Sequence, residues 1–201
     1  MNILIDLLPE KVEIEDIEYD INSDFRTSML FELMMSDNEL TNKQQVEQTL
    51  MLYYPKLPED IDEAMEQLLW FYRCGKDIIR SKGNGNSAKG KSTQIYDFDF
   101  DDDYIYSAFL DQYGIDLQDA DLHWWKFKAL FKSLKEDNEI VKIMGYRSTD
   151  LTKIKDKEQK NHYKKMKDLY KIQSNISKSE TEKLESIEKA LLNGGDLSKL
   201  L

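Results

Sequence analysis

A chain of 201 residues with 40% hydrophobic and 11% aromatic content can bury a sizeable core although 33% of it is charged, which excludes global disorder. Its net charge of −11 is uneven: residues 1–120 carry 10 basic and 26 acidic side chains, residues 121–201 carry 18 and 13, so nucleic acid is disfavoured as a partner and the complementary halves suit head-to-tail self-association. Cys74 alone excludes an intramolecular disulfide or cysteine-rich zinc site, and with no basic leader at 1–8 and no apolar run near the ~18 residues of a membrane span, the expected home is a reduced cytoplasm, away from membranes.

In chain order, Val12, Ile14, Ile17, Tyr19 and Ile21 alternate with acids and predict a hairpin turning at Glu15 and Asp16. That register pairs Val12 with Tyr19 and Lys11 with Asp20, and opposes Glu13 to Glu18 without a glycine in the turn. Ser23 or Asp24 then caps a helix through Met35, with Phe25, Met29, Leu30, Leu33 and Met34 apolar. Met34 and Met35 serve either a surface that repacks around a partner or ordinary core packing. A second helix covers 42–53. The third is written from Pro58 to Arg80, with Glu59, Asp60, Asp62 and Glu63 at its positive end and Arg73, Lys76 and Arg80 at its negative end. Ile61, Met65, Leu68, Tyr72 and Ile79 form its stripe, with Gly75 on the same line, and Trp70 and Cys74 lie opposite. A helix apolar on two sides is central in a bundle or shared with another chain.

Residues 81–94 are rich in Lys, Gly, Asn and Ser and predict a flexible loop. Within it, Gly85 to Ser92 satisfies the phosphate-binding pattern G-x-x-x-x-G-K-[ST], but that pattern needs a strand before it and a helix after it. A long helix precedes and an alternating Ile95 to Phe100 follows, so a nucleotide-binding reading is set aside. That alternation predicts a strand with Tyr96, Phe98 and Phe100 opposite solvated Asp97 and Asp99, after which Asp101, Asp102 and Asp103 cap a helix ending near Gly114. Asp97, Asp99 and Asp101 have the first ligand spacings of a calcium loop. Asp102 and Ala108 stand where its glycine and bidentate glutamate are required, so no metal is expected.

Further on, Trp124, Phe127, Leu130, Phe131 and Leu134 fall on one helical arc, and His123 joins them as a hydrogen-bonded core histidine rather than a base. Trp125 lands near Lys128 and Lys132. It is covered by another segment, roofed by lysine stems, or offered to a partner. In a helix begun at Asp150 or Asp156, Lys157, Lys160, Lys164, Lys167 and Lys171 align as a ridge beside Tyr163, Met166 and Tyr170. The ridge faces solvent or an acidic protein surface, with nucleic acid disfavoured by the overall charge. Ser179 or Thr181 caps a short amphipathic helix carrying Leu184, Ile187 and Leu191, ended by Asn193-Gly194-Gly195. These elements make a mainly α-helical single domain over 1–172 with a small N-terminal β-hairpin, followed by a C-terminal extension, 173–201. No spacing of nucleophile, base or metal ligand points to an enzyme, a cofactor or a catalytic residue.

The runs Leu122-His123-Trp124-Trp125-Lys126-Phe127-Lys128-Ala129-Leu130-Phe131, Ile143-Met144-Gly145-Tyr146-Arg147-Ser148 and Lys155-Asp156-Lys157-Glu158-Gln159-Lys160 carry a resemblance, with Asp24-Phe25-Arg26-Thr27, Tyr54-Pro55, Trp70 to Lys76 and Tyr104 to Leu110 upstream. Over about 1–170 the chain resembles a family of small siphophage tail proteins from phages and prophages of Gram-positive bacteria. Such proteins are usually encoded between the major tail protein and the tape-measure protein, where tail assembly chaperones are found. The resemblance thus implies a non-enzymatic chaperone of the tape-measure protein, with the major tail protein as a further partner and a minor structural tail protein as the alternative. Trp125, Trp70, Met34, Met35 and the lysine ridge are the candidate contacts.

Overall fold

The computed structural model describes residues 1–76 and 94–172. Its elements run β1 (Lys11–Ile14), β2 (Ile17–Asp20), α1 (Phe25–Ser36), α2 (Asn42–Tyr53), α3 (Ile61–Tyr72), α4 (Asp102–Tyr113), α5 (Trp124–Lys132), α6 (Glu139–Ser148) and α7 (Lys157–Leu169). The result is a mainly α single domain with one two-stranded hairpin. All but Gln94 of the loop expected over 81–94, the phosphate-loop lookalike within it, and the 173–201 extension lie outside the described residues.

The hairpin has the expected antiparallel register, including Glu13 opposite Glu18. Lys11 reaches Glu18 at 3.1 Å and offsets part of that repulsion. Glu15 and Asp16 both take positive φ, 49° and 59°, the backbone of a type I′ turn. No glycine is needed because the Glu15 amide donates to the Glu63 carboxylate at 2.9 Å, so a tertiary bond holds the turn. Val12 and Ile14 are buried where β1 packs on α3.

Two helices begin side by side. Asp24 caps α1 by accepting from the Arg26 amide, and His123 caps α5 by accepting from the Trp125 amide, while Asp24 and His123 form an antiparallel bridge. The bridge bonds run from the Phe25 amide to the Leu122 carbonyl and from the Trp124 amide to the Ser23 carbonyl. His123 is thus not on the helical arc but just before it. Its Nδ1 accepts from the Trp125 N–H at 3.0 Å, so Nε2 carries the proton and donates to the Pro9 carbonyl at 3.0 Å. Burial holds this imidazole below its ordinary value of 6.5. A depressed pKa means that the unfolded chain takes up the proton first. The stability this group confers is therefore present above about pH 6.5 and lost as pH falls through the lowered folded value. Thermal melts from pH 8 to 5 should show a decline in the wild type that is shallower in His123→Asn, since asparagine caps a helix without titrating; parallel curves would remove His123 from the linkage.

The third helix is shorter than its pattern. It starts at Ile61 with Asp60 as its cap, after Pro58, and stops at Tyr72 instead of running to Arg80. Cys74 and Gly75 both adopt positive φ, and the Gly75 and Cys74 amides donate back to the carbonyls of Trp70 and Phe71, a Schellman-type ending. The adjacent tryptophans complete it. Trp125 Nε1 donates to the Phe71 carbonyl at 2.7 Å and Trp124 Nε1 to the Tyr72 carbonyl at 2.9 Å, while Lys128 Nζ sits 3.4 Å from the latter, near the negative end of the helix dipole. The α3 terminus is therefore capped by α5, and Arg80, expected at its negative end, lies outside the described residues.

Residues 95–100 do not form the expected strand. The Asp97 carboxylate accepts from the amides of Asp99 and Phe100, curling the chain into a turn. Tyr96 and Phe98 pack inward on Phe131 and Phe127. Asp102 and Asp103 occupy the first turn of α4, which ends at Gly114 with φ 65°. Asp101 does not cap α4 with its side chain. Its carboxylate, fully buried, takes both guanidinium nitrogens of Arg147 at 2.5 and 2.9 Å and the Asp97 amide at 2.9 Å. The same guanidinium donates to the carbonyls of Ile95 and Tyr170, joining the start of α4 and the ends of α6 and α7.

Candidate partner-binding site

Between α5, α6 and residues 95–98 lies a cavity of about 300 Å³. Trp124, Phe127 and Phe131 project into it from α5, and Val141 and Met144, one turn apart on α6, close the opposite side. Ile95, Tyr96 and Phe98 supply the third wall. These positions exist because α5 turns one aromatic stripe toward the core and the Asp97 turn brings its neighbours onto it.

The cavity lining contains two charged side chains, Lys128 and Lys132. Lys132 is exposed; Lys128 is half-buried, with its ammonium 4.5 Å from the Tyr72 ring centroid and 5.0 Å from that of Trp124. Burial pushes this ammonium below its ordinary value, with the electrostatic influence of Glu32 opposing that shift. Glu32 itself is pushed up by burial, although the hydroxyls of Tyr72 and Tyr96 donate to it at 2.5 and 3.2 Å. The Tyr96 hydroxyl is therefore already engaged, and the wall it contributes to the cavity is its ring. The arrangement is an apolar recess with a cationic edge. It suits apolar side chains flanked by an acid. Among the described residues, no group of three or more His, Cys, Asp and Glu side chains is placed to hold a metal ion.

The candidates named from the sequence do not converge here. Trp125 is 3% exposed, so its side chain is not offered to a partner: α3 covers the side of α5 that periodicity alone left open, and its N–H is spent on Phe71. Trp70 is half-buried with its ring edge-on to Trp125 at 5.6 Å. Met34 is half-buried against the core, whereas Met35 at the end of α1 is exposed. The lysine ridge stands on α7, which packs on α6 through Tyr146, Tyr163 and Tyr170. Lys157, Lys160 and Lys164 are exposed, and no ion pair among the described residues engages them. Lys167 instead donates to the Thr149 carbonyl at 2.7 Å, and Lys171 lies past the helix end at Tyr170, so the ridge is shorter than five residues.

Sequence reasoning missed Val141, Met144, Ile95 and Lys128 as members of one site. The i, i+3 spacing of Val141 and Met144 was a weak signal, and nothing local placed Ile95 opposite them.

A family model described as Bacteriophage Gp15 protein matches residues 4–172. Neither the curated proteins nor the solved structures contain a match.

Proposed function

The chain belongs to the bacteriophage Gp15 protein family, and on that premise we propose that it is a tail assembly chaperone that binds the tape-measure protein in the host cytoplasm. It acts by binding rather than by catalysis, receiving apolar side chains of a tape-measure helix before the tail tube polymerises. The observation that carries this reading is the cavity between α5 and α6, whose apolar walls and lysine edge match an amphipathic helix with an acidic flank. Self-association would then draw on the contrast between the acidic N-terminal half and the exposed lysines of α7.

A second reading is a minor tail protein retained in the virion in contact with the major tail protein; it is favoured by the apolar segment before β1, where Leu4, Ile5 and Leu7 are 89%, 80% and 92% exposed. Mass spectrometry of purified virions separates the two, since a chaperone is absent from the finished particle.

The site is tested by co-expression with tape-measure fragments. Met144→Glu should weaken capture at least about tenfold, equivalent to about 1.4 kcal/mol, because a carboxylate replaces an apolar wall. Lys132→Glu, at an exposed position, should weaken capture at low salt and much less at high salt, where surface charges are screened beyond ~8 Å or less. Wild-type capture by folded Met144→Glu would remove the cavity from the interface.

A further inference from the structure

The described chain ends beside this cavity. The Tyr170 carbonyl accepts from Arg147 Nε at 2.6 Å, and Nη1 of the same guanidinium donates to the carbonyl of Ile95 at 3.1 Å, a residue of the cavity wall. One side chain therefore fixes both the exit of the C-terminal extension and one side of the recess.

The extension carries what the recess would take. Placed at 100° per residue, Leu184, Ile187 and Leu191 share one stripe and Glu185 and Glu188 fall along one side of it, opposite in sign to Lys128 and Lys132. Eleven residues lie between Ile172 and Leu184, a reach of up to about 40 Å when extended, ample for a wall one guanidinium away.

We propose that the segment 180–192 of this chain docks in cis as an amphipathic helix in the cavity between α5 and α6, and that a partner helix must displace it. A short tether gives such a segment an effective concentration in the millimolar range, enough to exclude weak or unspecific apolar ligands. A long partner helix with contacts beyond the cavity overcomes it. The displacement step rests on the tape-measure reading above; the docking does not.

The test uses the full chain with Cys74→Ser and one introduced cysteine pair. Met144→Cys with Ile187→Cys should form an intramolecular disulfide under mild oxidation, in large excess over Glu18→Cys with Ile187→Cys, whose first position is exposed on β2. Equal yields from both pairs would overturn the docking, as would a dominant Met144→Cys with Ile78→Cys pair, which would give the cavity to residues 77–93. A second variant reads the same site without cysteine. Leu184→Ser, Ile187→Ser and Leu191→Ser together should raise anilinonaphthalene sulfonate fluorescence severalfold, a gain abolished by adding Met144→Glu; unchanged fluorescence counts against the proposal. Tape-measure capture by the oxidised pair separates the two ideas. Capture lost on oxidation and restored by reductant supports both, whereas disulfide formation with capture unaffected keeps the docking and sinks the cavity as the tape-measure site.

Discussion

Trp125→Ala is expected to lower folding stability by about 3–5 kcal/mol, the range for emptying a buried aromatic site. Three contacts make the site intolerant. The indole N–H donates to the Phe71 carbonyl at the end of α3, the ring packs edge-on to Trp70, and its Cη2 would lie 2.8 Å from a β-carbon at Gly75. Gly75 also holds φ at +65°, so the residue that lets α3 end is the same one that lets the ring close over it. Trp125→Phe keeps much of the ring and loses the hydrogen bond, for an intermediate cost of about 1–3 kcal/mol. Urea denaturation followed by near-ultraviolet circular dichroism measures both. An alanine variant as stable as the wild type, with partner capture alone impaired, would return Trp125 to the surface.

The second large effect belongs to Arg147. Arg147→Ala should cost about 3–5 kcal/mol, because the Asp101 carboxylate is left buried without its counter-charge. At roughly 2–4 °C per kcal/mol for a chain of this size, the melting temperature should fall by about 6–20 °C. Arg147→Lys should recover only part of this, since an ammonium cannot serve both Asp101 oxygens and the carbonyls of Ile95 and Tyr170 together. Asp101→Asn combined with Arg147→Met should be less damaging than the sum of the single changes, the signature of a coupled pair. Additive losses in that cycle would mean that the two side chains stabilise the fold independently.

Most of the secondary structure was legible because it rests on local physics. Alternation wrote β1 and β2 and their register, the second helix was placed at 42–53 where α2 lies, and Asp156 wrote the start of α7. The membership of the chain in a phage family was likewise legible in its Trp-Trp and Met-Gly-Tyr-Arg runs. Where reading along the chain failed, a distant partner had outbid the local signal. The pattern of α3 continued past Tyr72, but two indole N–H groups, more than fifty residues away, claimed its last carbonyls. The alternation of Ile95 to Phe100 suited a strand, but no second strand faces it among the described residues, and the Asp97 carboxylate closed it into a turn.

The candidate site divides along the same line. Composition and periodicity by themselves determined that this is a helical domain with an aromatic α5 and a basic α7. Only the tertiary structure decided which aromatic faces are used up internally and which line a recess. Periodicity assigns a residue to a face of its own helix, and cannot say whether another helix lies against that face. Trp125 looked available and is covered by α3; Val141, Met144 and Ile95 looked ordinary and share a cavity because Arg147 and Asp101 pull three distant segments together.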